Sequence, residues 1–420
     1  MPAASPPPTH PRPLPPERVL ITLLGFYMML QAISTDLYLP SLPGLVRTFD
    51  VPPATVALTL SVFVLVYGTM QLVLGPVSDR YGRYPALVGG LALYAGASVA
   101  AAQAPSIGIL IGARAVQAIG CCGVVVAARA IVRDAYTPAA GARVLAQASS
   151  ILAMGPLFGP LLGGVLEVHF GFRGAFVVLA LVSVSLLAVT LRLRLETAPP
   201  PDPKALRPRA IARNYVTVLK SRPFRVYTLA ASASYGNLFA FISGSSFVLI
   251  GVLDVPTTLY GLCFAFCVCG YLVGTLACRR LLARDGTPRA LQRGAWLALA
   301  ASLALCALAA AGVHHWAALL LPAFAIFMGH GVVFPCSQAG SVAPFPRLAG
   351  AAAGMFGFLL MVVASGIGTL IGATHDGTVR PLVFTMTGCG IATFAAAHLG
   401  VGRLPAETAS PGRPGPTRCP

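Results

Sequence analysis

The chain has 420 residues, of which 56% are hydrophobic and only 10% are charged, and its mean hydropathy is +0.80. Because a soluble domain carries about 25% charged residues, this composition excludes an ordinary soluble protein and predicts a polytopic membrane protein. The formal net charge of +17 does not indicate nucleic-acid binding, because the basic residues concentrate in loops on one predicted side of the membrane.

The first 18 residues are proline-rich and lack the ordered basic, apolar and small-residue regions of a cleavable signal peptide. We therefore expect the first apolar run to remain as an uncleaved anchor. A helix that crosses the ~30 Å hydrocarbon layer needs about 20 mainly apolar residues. Runs of this kind lie at 19–41, 55–76, 85–103, 107–128, 144–166, 174–192, 225–250, 259–278, 294–312, 316–338, 349–372 and 381–401. The predicted fold is all-α, with twelve transmembrane helices in two six-helix bundles.

One long polar interval, rich in proline and basic side chains, divides these runs into two groups of six. The predicted organisation is a cytoplasmic tail (1–18), an N-terminal bundle (19–192), a cytoplasmic linker (193–224), a C-terminal bundle (225–401) and a second cytoplasmic tail (402–420). The halves also resemble each other at an offset of 204 residues, because "DRYGRYPAL" (79–87) aligns with "ARDGTPRAL" (283–291). Parallel repeats around a central linker are typical of transporters in which two bundles rock about a shared site.

The distribution of Lys and Arg predicts the orientation of the chain. With both termini in the cytoplasm, 25 of the 29 basic residues face that side, whereas only Arg47, Arg173 and Arg380 face the opposite side and Arg114 lies in the membrane. Cytoplasmic loops of membrane proteins carry such an excess of basic residues. The lipid bilayer is therefore the predicted partner of these cations, and nucleic acid is not.

The first apolar run closes with "ISTDLYLPSLP" (33–43), which places a carboxyl group, Asp36, in a hydrophobic helix. If this helix reaches the membrane surface near Pro40 and Pro43, Asp36 lies about 6–10 Å inside that surface. Burial raises the pKa of an acid and a nearby cation lowers it. The side chain is therefore a candidate proton carrier, and a helix-capping acid at the interface is the alternative.

The fourth run, within "GARAVQAIGCCGVVVAARAIVRD" (112–134), contains Arg114. A mid-membrane arginine costs at least ~2.5–3.5 kcal/mol on insertion scales, so it faces a partner or a water-filled path. Counted inward from Pro105, Arg114 lies at a depth of about 10–14 Å, where it could meet Asp36. The alternative is that it extends to the outer interface, while Arg129, Arg133 and Asp134 are expected to anchor the cytoplasmic end.

Two further stretches combine small residues with charges or prolines. The loop "GPVSDRYGRYPAL" (75–87) holds an acid, two arginines and two glycines, and glycine permits the close approach and unusual backbone angles of a tight connection. A merely topogenic basic loop is the alternative. In "GPLFGPLLGG" (155–164), glycines recur every four residues and predict a smooth face for helix packing, and the two prolines are expected to bend the helix.

These stretches resemble the signature motifs of the major facilitator superfamily. Gly75, Asp79, Arg80, Gly82 and Arg83 fit G-x-x-x-D-R-x-G-R-R, and Tyr84 replaces its last basic residue. The resemblance implies that Asp79 and Arg83 form a charge relay that latches the two halves in the outward-facing state. The departure at Tyr84 weakens one cation of that latch and leaves its core pair intact.

Two other motifs of the superfamily are matched. Arg114, Gln117 and Gly120 match R-x-x-Q-G. The stretch 155–164 matches G-x-x-x-G-P-x-x-G-G, which is associated with exporters and therefore implies efflux. The positions concerned are Gly155, Pro156, Gly159, Pro160, Gly163 and Gly164.

At the level of the subfamily, "STDLYLPSLP", "ARAIVRD", "AFISGSSFVLIGVLDVP" (240–256) and "APFPRLAGAAAG" (343–354) resemble the Bcr/CflA group of bicyclomycin and chloramphenicol exporters. The resemblance runs from about residue 20 to 400. It implies a proton-coupled antiporter of small-molecule drugs in a bacterial inner membrane, expected to act as a monomer. The alternative is a metabolite, sugar or copper carrier on the same scaffold.

With this resemblance, Asp36 is predicted to exchange a proton and Arg114 to tune it, with drug and proton competing for binding. A buried pair that only stabilises helix packing is the alternative. Polar side chains within the spans are candidates for the substrate cavity, because such cavities are mostly apolar with a few hydrogen-bonding groups. They are Gln31, Tyr38, Tyr67, Gln71, Gln117, Tyr235, Asn237, Ser243, His330 and Gln338. His330 has two open interpretations, proton transfer and hydrogen-bonded packing.

No cofactor or metal site is predicted. The ten cysteines lie mostly in apolar runs, and the group Cys263, Cys267, Cys269 and Cys278 contains no C-x-x-C, so small-residue packing is favoured over soft-metal binding. There is no Walker loop, so the proton gradient is the expected energy source. An enzyme is not expected, because the loop residues His375 and Asp376 have no evident third partner.

Overall fold

The computed structural model describes residues 15–197 and 208–401, and all regular elements within these ranges are helical, as predicted. The terminal tails 1–14 and 402–420 and the linker residues 198–207 lie outside the described residues. The α-helices are α1 Glu17–Asp36, α2 Leu42–Phe49, α3 Pro53–Tyr81, α4 Arg83–Ala102, α5 Ile107–Ala135, α6 Pro138–Leu152, α7 Met154–Leu193, α8 Pro208–Lys220, α9 Arg222–Gly251, α10 Thr257–Ala310, α11 Trp316–Val342, α12 Ala349–Thr374 and α13 Arg380–Ala395.

Ten segments in the described ranges are long and apolar enough to cross a membrane. Two of them, Arg143–Leu193 and Thr257–Ala310, have 51 and 54 residues. At 1.5 Å per residue each would be about 75–80 Å long, more than twice the hydrocarbon thickness. Large apolar side chains are exposed around the bundle, as expected of a surface that faces lipid; among them are Leu181, Leu229, Leu276, Leu321 and Phe384.

The long helix α7 reverses its direction at Gly171, whose φ of +62° lies outside the helical region. Before this glycine, Gly155 packs on Met29 and Gly159 on Asp36, so this part runs parallel to α1. After it, the Phe176 ring packs on the Tyr38 ring and the Thr190 hydroxyl bonds to the Tyr27 hydroxyl, so that part runs antiparallel to α1.

The helix α10 reverses in the same way at Gly286, where φ is +74°. Gly270 packs on the Phe324 carbonyl and Gly274 on that of Met328, which makes the first part of α10 parallel to α11. Beyond the reversal, Gly294 packs on Val332, and Gly329 of α11 packs on Ala298, so the second part is antiparallel. Both long helices are therefore hairpins of two antiparallel helices.

The first helix ends earlier than its apolar pattern predicts. Pro40 has no N–H to donate to the carbonyl of Asp36, and α1 ends at Asp36. A 3₁₀ turn, Leu39–Ser41, then leads into α2, which continues to Phe49. The prediction that the helix reaches the surface near Pro40 and Pro43 is therefore wrong. Asp36 lies 13 residues before the end of α2, and hence further from this end of the bundle than predicted.

Two other predicted boundaries also change. The predicted span 144–166 divides into α6 and α7 at Ala153, because Pro156 cannot donate a hydrogen bond to Leu152. The predicted linker 193–224 contains α8, which was not predicted. Val218 of α8 is buried against the bundle, and the Tyr215 hydroxyl donates to the Leu72 carbonyl of α3 at 2.9 Å.

The internal repeat is visible in the backbone. Gly82 and Gly286, which are 204 residues apart, have φ of +100° and +74°. Asp50 and Asp254, separated by the same offset, are both left-handed, with φ of 50° and 52°. Each of these aspartates begins the sequence Asp-Val-Pro ahead of a long helix. The two halves of the chain therefore share their turns as well as their helices.

The two halves meet along α3 and α12 and along α7 and α10. Gly372 packs on Ala57 at one end of the first contact and Gly357 on Gln71 near the other. We call the end of the bundle that carries α2, Asp254 and His375 the α2 end, and the opposite end, which carries Asp79, the Asp79 end. Contacts of α2 with α9, and of the 3₁₀ turn with α9 and α10, further close the α2 end.

Candidate functional site

Asp36 lies between the two halves of the chain. Its side chain is 3% exposed, and the Thr35 hydroxyl donates to its Oδ1 at 2.9 Å. The carboxyl group acts electrostatically on Tyr235 of α9 and Tyr260 of α10, both of which belong to the C-terminal half. A buried carboxyl group of the first helix therefore lies near two tyrosines of the second half of the molecule.

Arg114 is fully buried inside the N-terminal half. Its Nε donates to the Thr59 carbonyl at 3.2 Å and its Nη1 to Gln117 Oε1 at 2.5 Å. Its guanidinium carbon lies 4.1 Å from the centre of the Phe63 ring and 4.8 Å from that of Tyr38. Such cation–π contacts strengthen when water is excluded, and they accommodate a cation whose Nη2 has no hydrogen-bond partner in the described residues.

The network continues from Arg114 to α1. Gln117 Nε2 donates to Ser98 Oγ at 2.7 Å, and Ser98 Oγ donates to the Tyr94 carbonyl at 2.7 Å. The Tyr94 hydroxyl in turn bonds to Ser34 Oγ at 2.5 Å. Arg114 is therefore linked through α5 and α4 to a residue two positions before Asp36.

The structure does not bring Asp36 and Arg114 together as an ion pair. Among the described residues, neither Asp36 nor Arg114 lies within 4 Å of an oppositely charged side chain. Arg114 interacts with the Tyr38 and Tyr94 hydroxyls instead. The predicted contact between Asp36 and Arg114 was based on their similar depth along their helices. Asp36 faces the second half, however, whereas Arg114 faces the core of its own half. The alternative that Arg114 extends to the outer interface is also excluded by its complete burial.

Three of the candidate cavity residues each lie within one half of the chain and not between the halves. The Tyr38 hydroxyl bonds to Thr59 Oγ1 at 2.8 Å, beside Arg114. Gln117 belongs to the Arg114 network. Asn237 Nδ2 donates to Ser302 Oγ at 3.3 Å, between α9 and α10, and its Oδ1 is buried without a partner in the described residues.

Other candidates lie where the halves meet. Gln31 of α1 interacts with the Tyr235 hydroxyl, and these two residues occupy equivalent positions, 204 apart, in the two repeats. Tyr67 stacks on Phe63 at 6.4 Å between ring centres and lies near Tyr235 of α9. Gln71 packs against Gly357 of α12. Gln31, Asp36, Tyr67 and Tyr235 therefore define the candidate inter-half site.

His330 lies on the C-terminal side of this site. Its Nδ1 is 2.9 Å from Ser234 Oγ, and its ring lies 6.0 Å from Tyr235 and 5.8 Å from Tyr271. Ser243 is buried next to Gly368 of α12, and Gln338 is exposed. Of these three residues, His330 is the one that contacts a side chain of the inter-half site.

The motif at the Asp79 end forms a cluster of charges. Arg83 is 2% exposed, and its Nη1 lies 2.7 Å from Asp79 Oδ1 while its Nε lies 2.8 Å from Asp134 Oδ2. The exposed Arg133 lies 3.2 Å from Asp79. The prediction that Asp134 is a membrane anchor is wrong, because its side chain is 10% exposed and binds the buried guanidinium.

Sequence reasoning missed Glu196, which follows α7. Its carboxylate accepts the backbone N–H of Arg83 at 2.9 Å and that of Tyr84 at 3.1 Å, at the start of α4. A Cβ on Gly82 would lie 2.5 Å from Glu196 Oε2, so glycine is needed both for the positive φ and for this contact. Gly75 has no such role here, because a Cβ there would meet nothing within 4 Å.

The glycine face of α7 packs on α1, as its spacing predicts. Cβ atoms added to Gly155, Gly159 and Gly163 would lie 3.1 Å from Met29 Cγ, 3.2 Å from Asp36 Cβ and within van der Waals overlap of the Leu37 carbonyl. Gly164 instead faces α10, where a Cβ would lie 2.7 Å from the Thr257 carbonyl. Pro160 lies within α7, next to its contact with Gly261 of α10.

No group of three or more potential metal-binding side chains occurs in the part of the chain that the structure describes. Cys121, Cys122 and Cys267 are buried as separate packing residues, whereas Cys269 is exposed. His375 packs on the Phe247 ring at 5.3 Å, and Asp376 accepts from the Thr378 backbone and hydroxyl.

The fold and its buried inter-half site define a multi-pass helical membrane protein. A family model described as Major Facilitator Superfamily matches residues 24–369, and the chain belongs to this family. It is therefore a membrane-embedded transporter of small molecules and not an enzyme.

Similar curated proteins are named for drug resistance. The chain is 28% identical to a bicyclomycin resistance protein homolog of Haemophilus influenzae, covering 90% of this chain and 95% of the relative. It is 28% identical to a chloramphenicol resistance protein of Pseudomonas aeruginosa, with coverage of 84% and 83%. Multidrug resistance protein D of Escherichia coli is 27% identical, with coverage of 87% and 92%. The predicted resemblance to the Bcr/CflA group is confirmed.

Solved structures share the fold at lower identity. A bacterial homolog of the human lysosomal transporter Spinster, in an inward-facing and occupied conformation, superposes with a TM-score of 0.72. The identity is 16%, and the match covers 94% of this chain and 98% of that one.

Proposed function

We propose that this protein is a proton-driven antiporter that exports small-molecule drugs across the bacterial inner membrane by alternating access. The family, and the names of the drug-resistance relatives, support export of a drug. The burial of the Asp36 carboxyl group between the two halves carries the proposal of proton coupling.

The proposed topology has twelve crossings in two bundles of six. The reversals at Gly171 and Gly286 support it, because each divides one of the two long apolar segments into two antiparallel crossings. Arg47, Arg173 and Arg380 are at the α2 end, whereas most other cations of the described residues are at the Asp79 end. By the positive-inside rule, the Asp79 end faces the cytoplasm and the α2 end faces outward, so both termini are cytoplasmic.

In this mechanism, Asp36 carries one proton through each cycle. Moving a charged carboxylate out of water into the closed bundle is costly, so Asp36 enters the closed state protonated. When the Asp79 end opens, water reaches the site, the proton leaves to the cytoplasm and the ionised carboxylate becomes available to the drug. Gln31, Tyr67 and Tyr235 then supply the hydrogen bonds and ring faces of the binding site. A single chain provides all of these groups, which supports a monomeric transporter.

Arg114 acts as a positioning residue in this proposal. Its links through Gln117, Ser98 and Tyr94 to Ser34 fix α1 immediately before Asp36. It also fixes Tyr38 just after Asp36 through its cation–π contact. Arg114 therefore tunes the proton carrier by holding both flanks of its helix, and not by a direct ion pair.

The charge cluster at the Asp79 end acts as the conformational latch. Asp79 and Arg83, with Asp134, hold α3, α4 and α5 together at the cytoplasmic end, next to the α3–α12 contact between the halves. In this proposal the relay keeps α3, α4 and α5 in the arrangement that meets α12, and it rearranges when the halves separate at this end.

Transport in proteoliposomes tests the proposal. An imposed pH gradient should drive efflux of a fluorescent drug analogue by the wild-type protein, and Asp36→Asn should lose gradient-driven transport at least tenfold while downhill exchange persists. Asp50→Asn is the matched control, because Asp50 is a left-handed turn residue at the end of α2 and asparagine tolerates that conformation. Full gradient-driven efflux by Asp36→Asn would contradict the proposal.

A further inference from the structure

Two cysteines of the C-terminal half, Cys278 of α10 and Cys336 of α11, have their sulfur atoms 3.7 Å apart. Their side chains are 3% and 1% exposed, and the Cys278 thiol also donates to the Val332 carbonyl at 3.8 Å. The two cysteines are 58 positions apart in the chain, so no local cysteine motif indicates the pair. It exists because the fold brings two helices together at this point.

The tight parallel register of α10 and α11 places the first sulfur. Gly274 of α10 packs directly on the Met328 carbonyl of α11, and Gly270 makes the same contact one turn earlier. Residues four apart lie on one face of a helix, so Cys278 continues this row, and its sulfur faces the next carbonyl in line, that of Val332. The sulfur therefore lies directly against the backbone of α11.

The second sulfur comes from the same face of α11. Cys336 is one turn beyond Val332, and helical side chains tilt towards the N-terminus of their helix, so its sulfur meets that of Cys278 near the level of Val332. Pro335, directly before Cys336, has no N–H to donate to the Gly331 carbonyl one turn earlier. The two sulfurs therefore meet where the hydrogen bonding of α11 is interrupted.

The described side chains that pack around the pair are uncharged. The two sulfurs belong to a buried cluster that contains Tyr227 of α9 and otherwise only aliphatic side chains. Arg279 and Arg280, directly after Cys278, are exposed, which places the pair next to the polar surface of the Asp79 end. Because an unpaired charge in apolar surroundings is costly, a ligand of the two sulfurs should leave a neutral complex.

We propose that Cys278 and Cys336 form a binding site for one soft divalent metal ion such as mercury(II). Both thiols lose a proton and both sulfurs bond to the metal, M²⁺ + 2 RSH → M(SR)₂ + 2 H⁺, and the two protons leave to the water at the Asp79 end. No electron is transferred, and the product is neutral. The inference does not depend on the proposed transport function, because neither cysteine belongs to the inter-half site.

The separation of the sulfurs suits one shared metal ion. Two metal–thiolate bonds of about 2.3 Å can join sulfurs that are up to about 4.6 Å apart, and the observed separation is 3.7 Å. Thiolates are also the ligands that soft metals prefer. The pair therefore needs little movement of α10 or α11 to hold the ion.

Charge and ligand number disfavour the commoner metals at this site. Copper(I) with two thiolates would leave one negative charge in the buried cluster. Zinc takes four ligands, whereas the described residues contain no group of three or more metal-binding side chains. Mercury(II) forms stable, neutral complexes with two thiolates alone. Once bound, it connects α10 to the part of α11 that follows Pro335, within one half of the molecule.

Mercury(II) chloride and the full-length protein in detergent test the site. A variant in which eight of the ten cysteines are replaced by alanine keeps only Cys278 and Cys336. Native mass spectrometry should show one mercury per protein, with two hydrogens lost. Two linked groups bind a shared ligand roughly 10²–10⁴-fold more tightly than either group alone. Release of the mercury should therefore require at least about a hundredfold more glutathione than in Cys278→Ser or Cys336→Ser of the same background.

A matched control keeps only Cys121 and Cys389. Both thiols are buried, but Cys121 belongs to α5 of the N-terminal half, whereas Cys389 packs on Gly236 of α9 in the C-terminal half. Each should bind mercury singly and release it to glutathione as readily as the single-cysteine variants do. Equal retention by this control would show that burial, and not pairing, holds the metal, and would overturn the proposal.

The wild-type protein provides a second test that does not require the eight replacements. Cys336→Ser should lose one glutathione-resistant mercury relative to the wild type, as should Cys278→Ser. An unchanged number of resistant mercury ions in either variant would overturn the proposal. Because no transport is measured, these results are independent of the efflux assay, and failure of gradient-driven efflux would leave the metal site intact.

Discussion

The guanidinium of Arg83 joins two acids from different helices, with Nη1 2.7 Å from Asp79 and Nε 2.8 Å from Asp134. This one buried cation therefore connects α3, α4 and α5 at the Asp79 end. Glu196 adds a third carboxylate, which accepts the backbone N–H groups of Arg83 and Tyr84. The loop is held by acids from three separate parts of the chain.

The first prediction concerns Asp134→Asn. This variant removes one of the two carboxylates that compensate the buried Arg83 guanidinium and leaves Asp79, so we expect it to lose about 1–3 kcal/mol of unfolding free energy. Arg133→Gln is the control, because Arg133 is 59% exposed and exposed pairs contribute less than about 1 kcal/mol. Denaturant titration in mixed micelles measures both variants. Equal losses would contradict the assignment of Asp134 to the buried cluster.

The second prediction compares three glycine-to-alanine substitutions. Gly82 and Gly286 have φ of +100° and +74° with ψ of 164° and 171°, a region that is essentially restricted to glycine and costs about 1–3 kcal/mol for other residues. Gly82→Ala should lose more stability than Gly286→Ala, because its Cβ would also displace Glu196, whereas the Cβ at 286 meets nothing within 4 Å.

Gly89→Ala provides the control for this series. Gly89 is helical, lies within α4 and has open space where a Cβ would lie, so alanine should be neutral or stabilise the helix by up to about 1 kcal/mol. Thermal unfolding of the three variants gives the order. A Gly82→Ala protein as stable as Gly89→Ala would contradict both the backbone argument and the contact with Glu196.

Much of the architecture was predictable because each helix that crosses a membrane requires a long run of apolar residues, which the sequence shows directly. The same periodicity placed Gly155, Gly159 and Gly163 on one face, and that face does pack on α1. The repeat was predicted from the loop at 79–87, although the Asp-Val-Pro pairs that begin at Asp50 and Asp254 are a stronger signal of it.

The pairing of polar groups was not predictable in the same way. Depth along a helix could be counted, but the direction of a side chain around the helix could not, and Asp36 and Arg114 face different neighbours. The partners of Arg114 are a backbone carbonyl, an amide and aromatic rings, none of which a search for an opposite charge would select. Glu196 was not predicted because an acidic residue in a polar linker is common and does not by itself indicate a structural contact.

The third prediction addresses closure between the halves. A Cβ on Gly261 of α10 would lie 2.5 Å from the Leu161 Cα of α7 and 2.7 Å from the Pro160 carbonyl. Because overpacking costs about 1–3 kcal/mol, Gly261→Ala should shift the protein towards a state that is open at the α2 end, by roughly five- to a hundredfold.

Spin labels in a cysteine-free background measure this shift. Val168 and Leu259 are exposed positions on α7 and α10 near the α2 end, and the population of long distances between them should increase in Gly261→Ala. Gly366→Ala on α12 is the control, because its Cβ meets nothing within 4 Å. An unchanged distance distribution in Gly261→Ala would show that this contact does not hold the closed state.

The fourth prediction concerns α8, which spans the boundary between the halves at the Asp79 end. Its Tyr215 hydroxyl donates to the Leu72 carbonyl of α3, whereas its Val218 is buried among residues of the C-terminal half. Tyr215→Phe removes that hydrogen bond, which is worth about 1 kcal/mol. We expect roughly fivefold faster tryptic cleavage after Arg213 at pH 8, with Tyr81→Phe, at a position 65% exposed, as the unaffected control.

The pH dependence of the difference between wild type and Tyr215→Phe follows from the ionisation of the phenol. Burial raises the pKa of Tyr215 above its ordinary value, because the charged phenolate would be desolvated there, whereas the neutral hydroxyl can donate to the Leu72 carbonyl. The stabilising contribution is therefore fully present below the ordinary tyrosine pKa of about 10 and is lost as the pH rises through the raised value. The ratio of the cleavage rates of Tyr215→Phe and wild type should stay constant from about pH 7 to 9. A ratio that falls to one within that range would contradict the hydrogen bond.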